Sequence, residues 1–402
     1  MDDGQGRPRL VRPGARSWAC GRSAPVWDGE VRAYHASLPG YAPTPLAEVP
    51  ALAAELGVGR VLVKDESVRL GLPAFKVLGA SWAVRKVLAR PGPAGAAPPP
   101  GVAGLRAMAA SWPDLVLVTA TDGNHGRAVA RMARLCGAPA RVFVPAVTEP
   151  ATRAAIAAEG AKVVQVPGSY DEAVAAARKW AEGQPGSALI QDTAWPGYER
   201  VPGWIVEGYS TLFAELDAQL AALGAGPLAL VAVPVGVGSL AQAAVAHYRS
   251  AAGRGGVTGE GCPGRGQNSA PREPSSVTAV LSVEPDTAAC LLASLRAGTP
   301  VTVPNANTIM AGLNCGTVSS IAWPVLASGL GAAIAVTDDE ARRAAADLAA
   351  AGISSGPSGA ASLAGVRAAL TGKDSAERRA FLAVDSGSVI VLLNTEAAQA
   401  DS

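Results

Sequence analysis

Apolar and polar residues alternate in blocks along the middle of the chain, and each block has the length of a strand or a helix. Short apolar runs at 115–119, 141–144 and 162–166 are each followed by a longer amphipathic stretch. This alternation is typical of βαβ units and predicts a parallel sheet. The same reasoning predicts one long helix at 203–223 and further strands at 60–64, 189–191, 228–234, 278–283, 332–336 and 388–393.

The order of these elements predicts an α/β fold with two open, twisted parallel-sheet lobes flanked by helices. We expect a small α/β domain at 102–203 to be inserted into a large domain that is formed by 30–101 and 204–402. Residues 1–29 are rich in Gly, Arg and Pro and are interpreted as an N-terminal extension. The two parts of the large domain would therefore meet only in the folded chain.

Composition narrows the class of protein. The chain has 402 residues, of which 49% are hydrophobic and 17% charged, enough for large packed cores. A net charge of +1 and an aromatic content of 4% favour neither a nucleic acid nor a membrane as partner. Five cysteines show no zinc spacing and the N-terminus has no apolar signal, so we expect a cytoplasmic protein without a metal site. Gly- and Pro-rich stretches at 91–101 and 251–276 predict a linker and a surface loop.

A single lysine, Lys76, stands in the apolar stretch 74–84, which is too continuous for one amphipathic stripe and predicts a helix start buried on most sides. A buried ammonium group costs several kcal/mol unless it is paired or its pKa falls. A lysine with a lowered pKa attacks carbonyl groups and is a candidate for covalent catalysis. The alternative is a lysine whose charged end reaches the surface.

A glycine-rich turn follows the strongly apolar strand at 228–234. The sequence V-P-V-G-V-G-S-L-A places Gly236, Gly238 and Ser239 directly before a helix. Free backbone N–H groups in such a turn bind anions, so a phosphate site is expected. A dinucleotide would also require an acidic residue after the next strand, and Glu260 and Glu284 are poorly placed for it. A purely structural turn is the other interpretation.

Two further turns combine several polar side chains at the ends of predicted strands. The first, T-D-G-N-H-G, contains Asp122, Asn124 and His125, and the second, Q-D-T-A-W-P-G-Y, contains Asp192. Open α/β folds bind ligands at this edge of the sheet, and a carboxylate there is a candidate general base. Each of these residues can alternatively cap a helix or a turn. Together, a buried lysine, a phosphate turn and an Asn-bearing turn imply pyridoxal phosphate as cofactor.

Seven blocks carry a resemblance to a known family. They read S-V-R-L-G-L-P-A-F-K, T-D-G-N-H-G-R, Q-D-T-A-W-P-G-Y, G-V-G-S-L, V-E-P-D-T-A-A-C, T-I-M-A-G-L-N-C-G and S-G-P-S-G. In this order, from about residue 40 to residue 396, they resemble diaminopropionate ammonia-lyases, pyridoxal-phosphate enzymes of fold type II in the tryptophan synthase β-like superfamily. The resemblance implies a homodimeric carbon–nitrogen lyase that converts D- or L-2,3-diaminopropionate to pyruvate and ammonia.

The resemblance also implies roles for individual residues. Lys76 would hold the cofactor and act as a base, Asn124 would bind its ring hydroxyl, and Thr395 would face its pyridine nitrogen. Asp122 and Asp192 match carboxylates at the substrate, and one of them would serve the enantiomer whose proton faces away from Lys76. The phosphate would be bound by Gly236, Val237, Gly238, Ser239 and Leu240.

The chain departs from the family at several positions, which keeps other interpretations open. Pro73 stands where the family usually has Asn, and Pro357 where it usually has Glu. A serine/threonine dehydratase, a β-replacement synthase acting on another β-substituted amino acid and a catalytically silent binding protein are alternatives. An NAD(P) oxidoreductase, which rests only on the spacing of the glycines, is a further one. Cys290 and Cys315 fall in adjacent blocks, and a disulfide between them is a hypothesis.

Overall fold

The computed structural model describes residues 10–11, 29–89, 100–250, 277–304 and 307–399. The loop expected at 251–276, most of the linker expected at 91–101, Cys20 and Cys262 therefore lie outside the described residues. Within the described ranges, no helix is long and apolar enough to span a membrane.

The strands and helices form in the alternation that the sequence predicts. The strands are β1 (Leu10–Val11), β2 (Leu46–Glu48), β3 (Arg60–Asp65), β4 (Val116–Ala120), β5 (Ala140–Pro145), β6 (Lys162–Val166), β7 (Ser187–Leu189), β8 (Leu228–Pro234), β9 (Ala279–Pro285), β10 (Ala332–Val336) and β11 (Val389–Asn394). The helices are α1 (Glu30–Ala36), α2 (Pro50–Leu56), α3 (Lys76–Leu88), α4 (Gly101–Ala110), α5 (Asn124–Cys136), α6 (Pro150–Ala158), α7 (Tyr170–Glu182), α8 (Arg200–Gly208), α9 (Ser210–Ala222), α10 (Ser239–Arg249), α11 (Cys290–Ala297), α12 (Trp323–Gly329), α13 (Asp338–Ala350), α14 (Pro357–Leu370) and α15 (Ser375–Leu382).

Two sheets organise the described residues. The larger has seven strands in the order β1-β10-β9-β8-β11-β3-β2, and the smaller has four in the order β6-β5-β4-β7. This confirms the predicted α/β class with two sheets flanked by helices. The expectation of parallel sheets holds for the inner pairs but is wrong at both edges of the larger sheet, where β1 and β2 pair antiparallel with β10 and β3. The domain boundaries stay a prediction.

The position of β11 in the larger sheet determines where the site forms. This last strand lies between β8 and β3 and is parallel to both. The carboxyl ends of the three strands therefore lie side by side, which is where open α/β sheets bind ligands. After β11 the chain continues along the segment before α3, because Phe75 N donates to Thr395 O (3.3 Å) and Ala397 N donates to Pro73 O (2.9 Å).

Helix α3 is buried along most of its length, as its apolar sequence predicts, from Val77 to Val84. It packs against α8 with backbones in close approach, since a Cβ on Gly208 would lie 2.6 Å from Leu78 O. The single long helix expected at 203–223 is wrong: the chain is interrupted at Tyr209 and forms α8 and α9. The interruption directly follows Gly208, whose backbone contacts Leu78 O of α3.

Candidate active site

The glycine-rich turn between β8 and α10 forms an anion cradle. Gly238 has a φ of +97°, a conformation that favours glycine, and a Cβ there would also lie 2.9 Å from Leu326. The backbone N–H groups of 236–240 donate to no other described residue, so they are available to a ligand. Ser239 Oγ donates to the carbonyl of Asp192 (2.8 Å), which links the cradle to the second polar turn.

Lys76 is the first residue of α3, and its Nζ lies 2.6 Å from Asp192 Oδ2. Burial would lower the pKa of Lys76, but the Asp192 carboxylate raises it above the usual value. Of the two ways to bury a lysine, pairing is therefore the one used in this structure, and a lowered pKa is not found. The charged end faces the cavity, so the interpretation as a surface-reaching lysine is wrong.

Asp192 is held in one orientation by two neighbours that the sequence analysis did not single out. Tyr170 OH donates to Asp192 Oδ1 (3.2 Å), and Gln191 Nε2 donates to the same oxygen (3.2 Å) and to Tyr170 OH (2.8 Å). The other oxygen is thereby left for Lys76. Burial would raise the pKa of Asp192, but the ammonium of Lys76 holds it below its usual range.

Asp122 has the opposite electrostatic environment. It lines the cavity and accepts no hydrogen bond from the described residues. Burial and the negative charge of Asp192 raise the pKa of Asp122 to about 8. The two carboxylates therefore differ in protonation state near neutral pH, which is the pattern of an acid and base pair.

Asn124 begins α5, and its Nδ2 donates to Glu396 Oε2 (2.7 Å). Thr395 lines the same cavity, as does Ser358, whose buried Oγ has no hydrogen-bond partner within the described residues. Two hydroxyl groups are thus available to a ligand here. Sequence reasoning found Asn124 and Thr395. It missed Ser358, which stands in the quoted block S-G-P-S-G, and Glu396, which directly follows Thr395.

His125 is buried and has an unusual hydrogen-bond arrangement. Its Nε2 lies 2.8 Å from Ile190 O, so this nitrogen carries the proton and donates. Its Nδ1 has no partner among the described residues and lies 3.9 Å from Asp192 Oδ2. Burial lowers the pKa of His125, which is therefore neutral beside the Lys76–Asp192 pair.

Pro73 and Pro357, at which the sequence departs from the resembled family, do not line the cavity. Pro357 occupies the first turn of α14, and Ser358 beside it does line the cavity.

Cys290 and Cys315 are buried free thiols, so the disulfide hypothesis is wrong in this structure. Cys315 lines the cavity, and Cys290 Sγ lies 3.8 Å from Gly236 O.

The groups named above, apart from the two prolines, Ile190, Gln191, Cys290 and Leu326, surround one cavity of about 740 Å³, including its open mouth. Its residues fit pyridoxal phosphate: an unused amide cradle for a phosphate, a lysine for an aldehyde and unpartnered polar groups for a substituted ring. The whole set predicted from the sequence meets here, namely Lys76, Asp122, Asn124, Asp192, Gly236, Val237, Gly238, Ser239, Leu240 and Thr395. Fold and site together define a pyridoxal-phosphate enzyme of fold type II.

Comparison with known proteins gives the particular family. The family described as "Pyridoxal-phosphate dependent enzyme" matches residues 37–387. Diaminopropionate ammonia-lyase of Salmonella typhimurium is 35% identical over 319 residues, which are 77% of this chain and 72% of the relative. The chain therefore belongs to the pyridoxal-phosphate-dependent enzymes and, within them, to the diaminopropionate ammonia-lyase family.

Solved structures and a more distant relative agree with this placement. The crystal structure of the Escherichia coli diaminopropionate ammonia lyase with an aminoacrylate–PLP azomethine reaction intermediate matches with a TM-score of 0.80 and 29% identity, covering 96% of this chain and 93% of that one. L-threonine dehydratase of Corynebacterium glutamicum is 26% identical over 72% of this chain and 55% of its own length. The predicted cofactor and the predicted class of enzyme, an ammonia-lyase, are confirmed.

Proposed function

We propose that this enzyme eliminates ammonia from both D- and L-2,3-diaminopropionate and releases pyruvate and a second ammonia. One water is consumed, so that one diaminopropionate and one water give one pyruvate and two ammonia molecules. The observation that carries the proposal is the pair of cavity carboxylates, Asp122 and Asp192, opposite in protonation state and adjacent to Lys76. The names of the relatives support the same substrate.

The acidic groups of the cavity favour a substrate with a second amino group. Within the described lining, three carboxyl groups, those of Asp122, Asp192 and Glu396, stand against the single ammonium of Lys76. Burial raises the pKa of Asp122 and of Glu396, whereas Asp192 is held in its ionised form by Lys76. Diaminopropionate carries two amino groups, at least one of them protonated at neutral pH, whereas serine and threonine carry a neutral hydroxyl at the β-carbon. A carboxylate near the β-position therefore stabilises the diamino acid more than its hydroxyl analogues.

Pyridoxal phosphate, when bound, supplies the electron sink for the carbanion at the α-carbon. The protein residues then have to bind the substrate and move its α-proton. Lys76 is one base. Asp122 is the stronger candidate for the second, because its pKa of about 8 makes it the better proton acceptor, whereas the pKa of Asp192 is lowered and its oxygens are occupied. Asp192 would orient Lys76 and hold the cationic substrate.

Three further expectations belong to this proposal. Asn124 would bind the ring hydroxyl, and the hydroxyl of Thr395 would face the pyridine nitrogen. The amide cradle at 236–240 would bind the phosphate. We also propose that the enzyme is a homodimer, which light scattering of the purified protein tests directly.

The visible absorption spectrum of the purified enzyme, recorded before and after each enantiomer is added, tests the function. We expect a cofactor band that shifts with D- and with L-2,3-diaminopropionate, together with two ammonia molecules per pyruvate. L-Serine and L-threonine are the matched controls, because they differ at the β-substituent. Faster turnover of either hydroxy acid would instead identify a dehydratase, and a new amino acid formed from an added nucleophile would identify a β-replacement synthase.

A further inference from the structure

Glu396 lies in the cavity wall and has no assigned role. It follows β11, and its carboxylate accepts two hydrogen bonds: Asn124 Nδ2 donates to Oε2 (2.7 Å) and Ser358 N donates to Oε1 (3.2 Å). Asn124 begins α5, which packs on the smaller sheet, and Ser358 lies in the first turn of α14, which packs on the larger one. One side chain therefore connects both sheets inside the site.

The chemistry of these contacts determines how Asn124 is oriented. Burial raises the pKa of Glu396, whereas the hydrogen bonds from Ser358 and Asn124 and the charge of Lys76 favour its ionised form. In that form the carboxylate only accepts hydrogen bonds, so the nitrogen of the Asn124 amide faces Oε2. The amide oxygen and the second N–H are then directed elsewhere in the site. If Glu396 were absent, the amide would be free to turn over and exchange donor for acceptor.

The start of α14 depends on Glu396 for a hydrogen-bond acceptor. Pro357 is the first residue of the helix and its side chain carries no acceptor. Ser358 N is one of the first amides of α14 and has no partner within the helix, so it requires an acceptor. Glu396 provides it, and a negative charge at this position is favourable for the helix N-terminus.

We propose that Glu396 is a positioning residue for the cofactor, which fixes the direction of the Asn124 amide and ties it to the start of α14. Its effect on the cofactor passes through Asn124. The proposal depends on the cofactor, which the family membership establishes, and is independent of whether diaminopropionate is the substrate.

The first test measures pyridoxal phosphate binding to the apo-protein by visible absorbance, with the variants Glu396→Gln and Asn124→Ala. Glutamine has the shape of glutamate but carries one acceptor and one donor, so Asn124 or Ser358 loses its acceptor. Because a hydrogen bond to a charged group is strong, we expect Glu396→Gln to weaken cofactor binding about tenfold and to shift the absorption band. A Glu396→Gln enzyme with wild-type affinity and band would overturn the proposal.

The double variant Glu396→Gln/Asn124→Ala separates an effect through Asn124 from an independent one. If Glu396 acts through Asn124, its substitution adds less than about twofold to the loss caused by Asn124→Ala alone. If the two substitutions instead lower the affinity for the cofactor by factors that multiply, Glu396 acts on the cofactor or on the stability of the fold independently of Asn124. The proposal would then be wrong. If Glu396→Gln does not fold, the same cycle is run with Glu396→Asp, which keeps the charge but shortens the side chain.

Glu284 provides a matched control. It is buried and accepts the amides of Leu291 and Leu292 at the start of α11, both at 2.8 Å, but it does not line the cavity. Glu284→Gln should lower the melting temperature while the absorption band stays in place. An equal band shift in Glu284→Gln would mean that any lost helix cap disturbs the cofactor, which contradicts a specific role of Glu396.

Discussion

Two clusters of charged side chains lie at the two ends of segment 66–76, and they differ in how their charges are matched. The closed network, at the beginning, consists of Lys64, Glu66, Arg69 and Glu215, whose side chains are 0% exposed. It contains two cations and two carboxylates. The cavity cluster, at the end, consists of Lys76, Asp122, Asp192 and Glu396. It contains one cation and three carboxyl groups, and burial raises the pKa of Asp122 and Glu396.

Hydrogen bonding separates the two clusters in the same way. In the closed network Arg69 donates to both carboxylates, at 2.8 Å to Glu66 Oε2 and 2.7 Å to Glu215 Oε2, and Lys64 donates to Glu215 and to Thr44 O. In the cavity cluster Asp122 accepts no hydrogen bond from a described residue. A balanced network whose members are all hydrogen-bonded holds a structure in place, whereas an unbalanced one with an unpartnered carboxyl group in a cavity is typical of a functional site.

The closed network also has a structural consequence for Lys76. Arg69 and Leu72 exchange backbone hydrogen bonds of 2.8 and 2.9 Å across a two-residue turn. Both central residues have positive φ, 51° for Leu70 and 72° for Gly71, which is unfavourable for leucine. Because the network anchors Arg69, it stabilises the turn from which the chain continues to Lys76.

The largest effect is expected from the cation of the cavity cluster. Lys76→Ala should abolish the cofactor absorption band and reduce turnover of either enantiomer by more than roughly a thousandfold, since proton transfer by a positioned side chain alone contributes about 10²–10⁴-fold. Absorbance after addition of pyridoxal phosphate and pyruvate formation measure the two effects. Lys86→Ala is the control, because Lys86 lies on the same helix, outside the cavity lining. Residual turnover above about a tenth in Lys76→Ala would contradict the assignment.

Breaking the closed network should affect stability rather than chemistry. Glu215→Gln leaves two buried cations with one carboxylate, and removing one partner of a buried pair costs about 3–5 kcal/mol. Urea unfolding of the cofactor-free protein measures this cost. Glu48→Gln is the control, since Glu48 and Arg60 form a pair (2.6 Å) that is accessible to solvent and should contribute much less to the free energy of unfolding. Equal costs for the two variants would contradict the stabilising role assigned to the closed network.

Most of the cavity cluster was easier to predict from the sequence than the closed network, and the reason is the local sequence signal. Asp122, Asn124 and Asp192 follow predicted strands, whose ends the parallel sheet brings together, and Lys76 stands at the start of a predicted apolar helix. The closed network pairs Lys64 with Glu215, which are 151 residues apart and in elements with no local signal of contact.

The same reason explains the other misses at the site. Glu396 contacts Asn124 across 272 residues, and only the insertion of β11 between β8 and β3 brings them together. The direction in which the pKa of Lys76 is shifted could not be predicted from the sequence either. A lysine in an apolar stretch can be neutral or paired, and the choice depends on where Asp192 lies in space.

The smallest of the expected effects concerns one enantiomer only. Asp122→Asn removes the proposed second base, so turnover of the enantiomer that depends on it should fall about a hundredfold, within the range for a general base. Turnover of the enantiomer served by Lys76 should fall much less. Pyruvate formation from pure D- and pure L-2,3-diaminopropionate measures both.

The pH dependence makes this test specific for Asp122. A base must be deprotonated, and the pKa of Asp122 is raised to about 8, so turnover of its enantiomer should increase about tenfold per pH unit below that value and level off above it. For Asp192 the sign of the pKa shift is the opposite, and a base there would be ionised throughout. A flat profile between pH 6 and 8 for both enantiomers, together with equal losses in Asp122→Asn, would transfer the role of second base from Asp122 to Asp192.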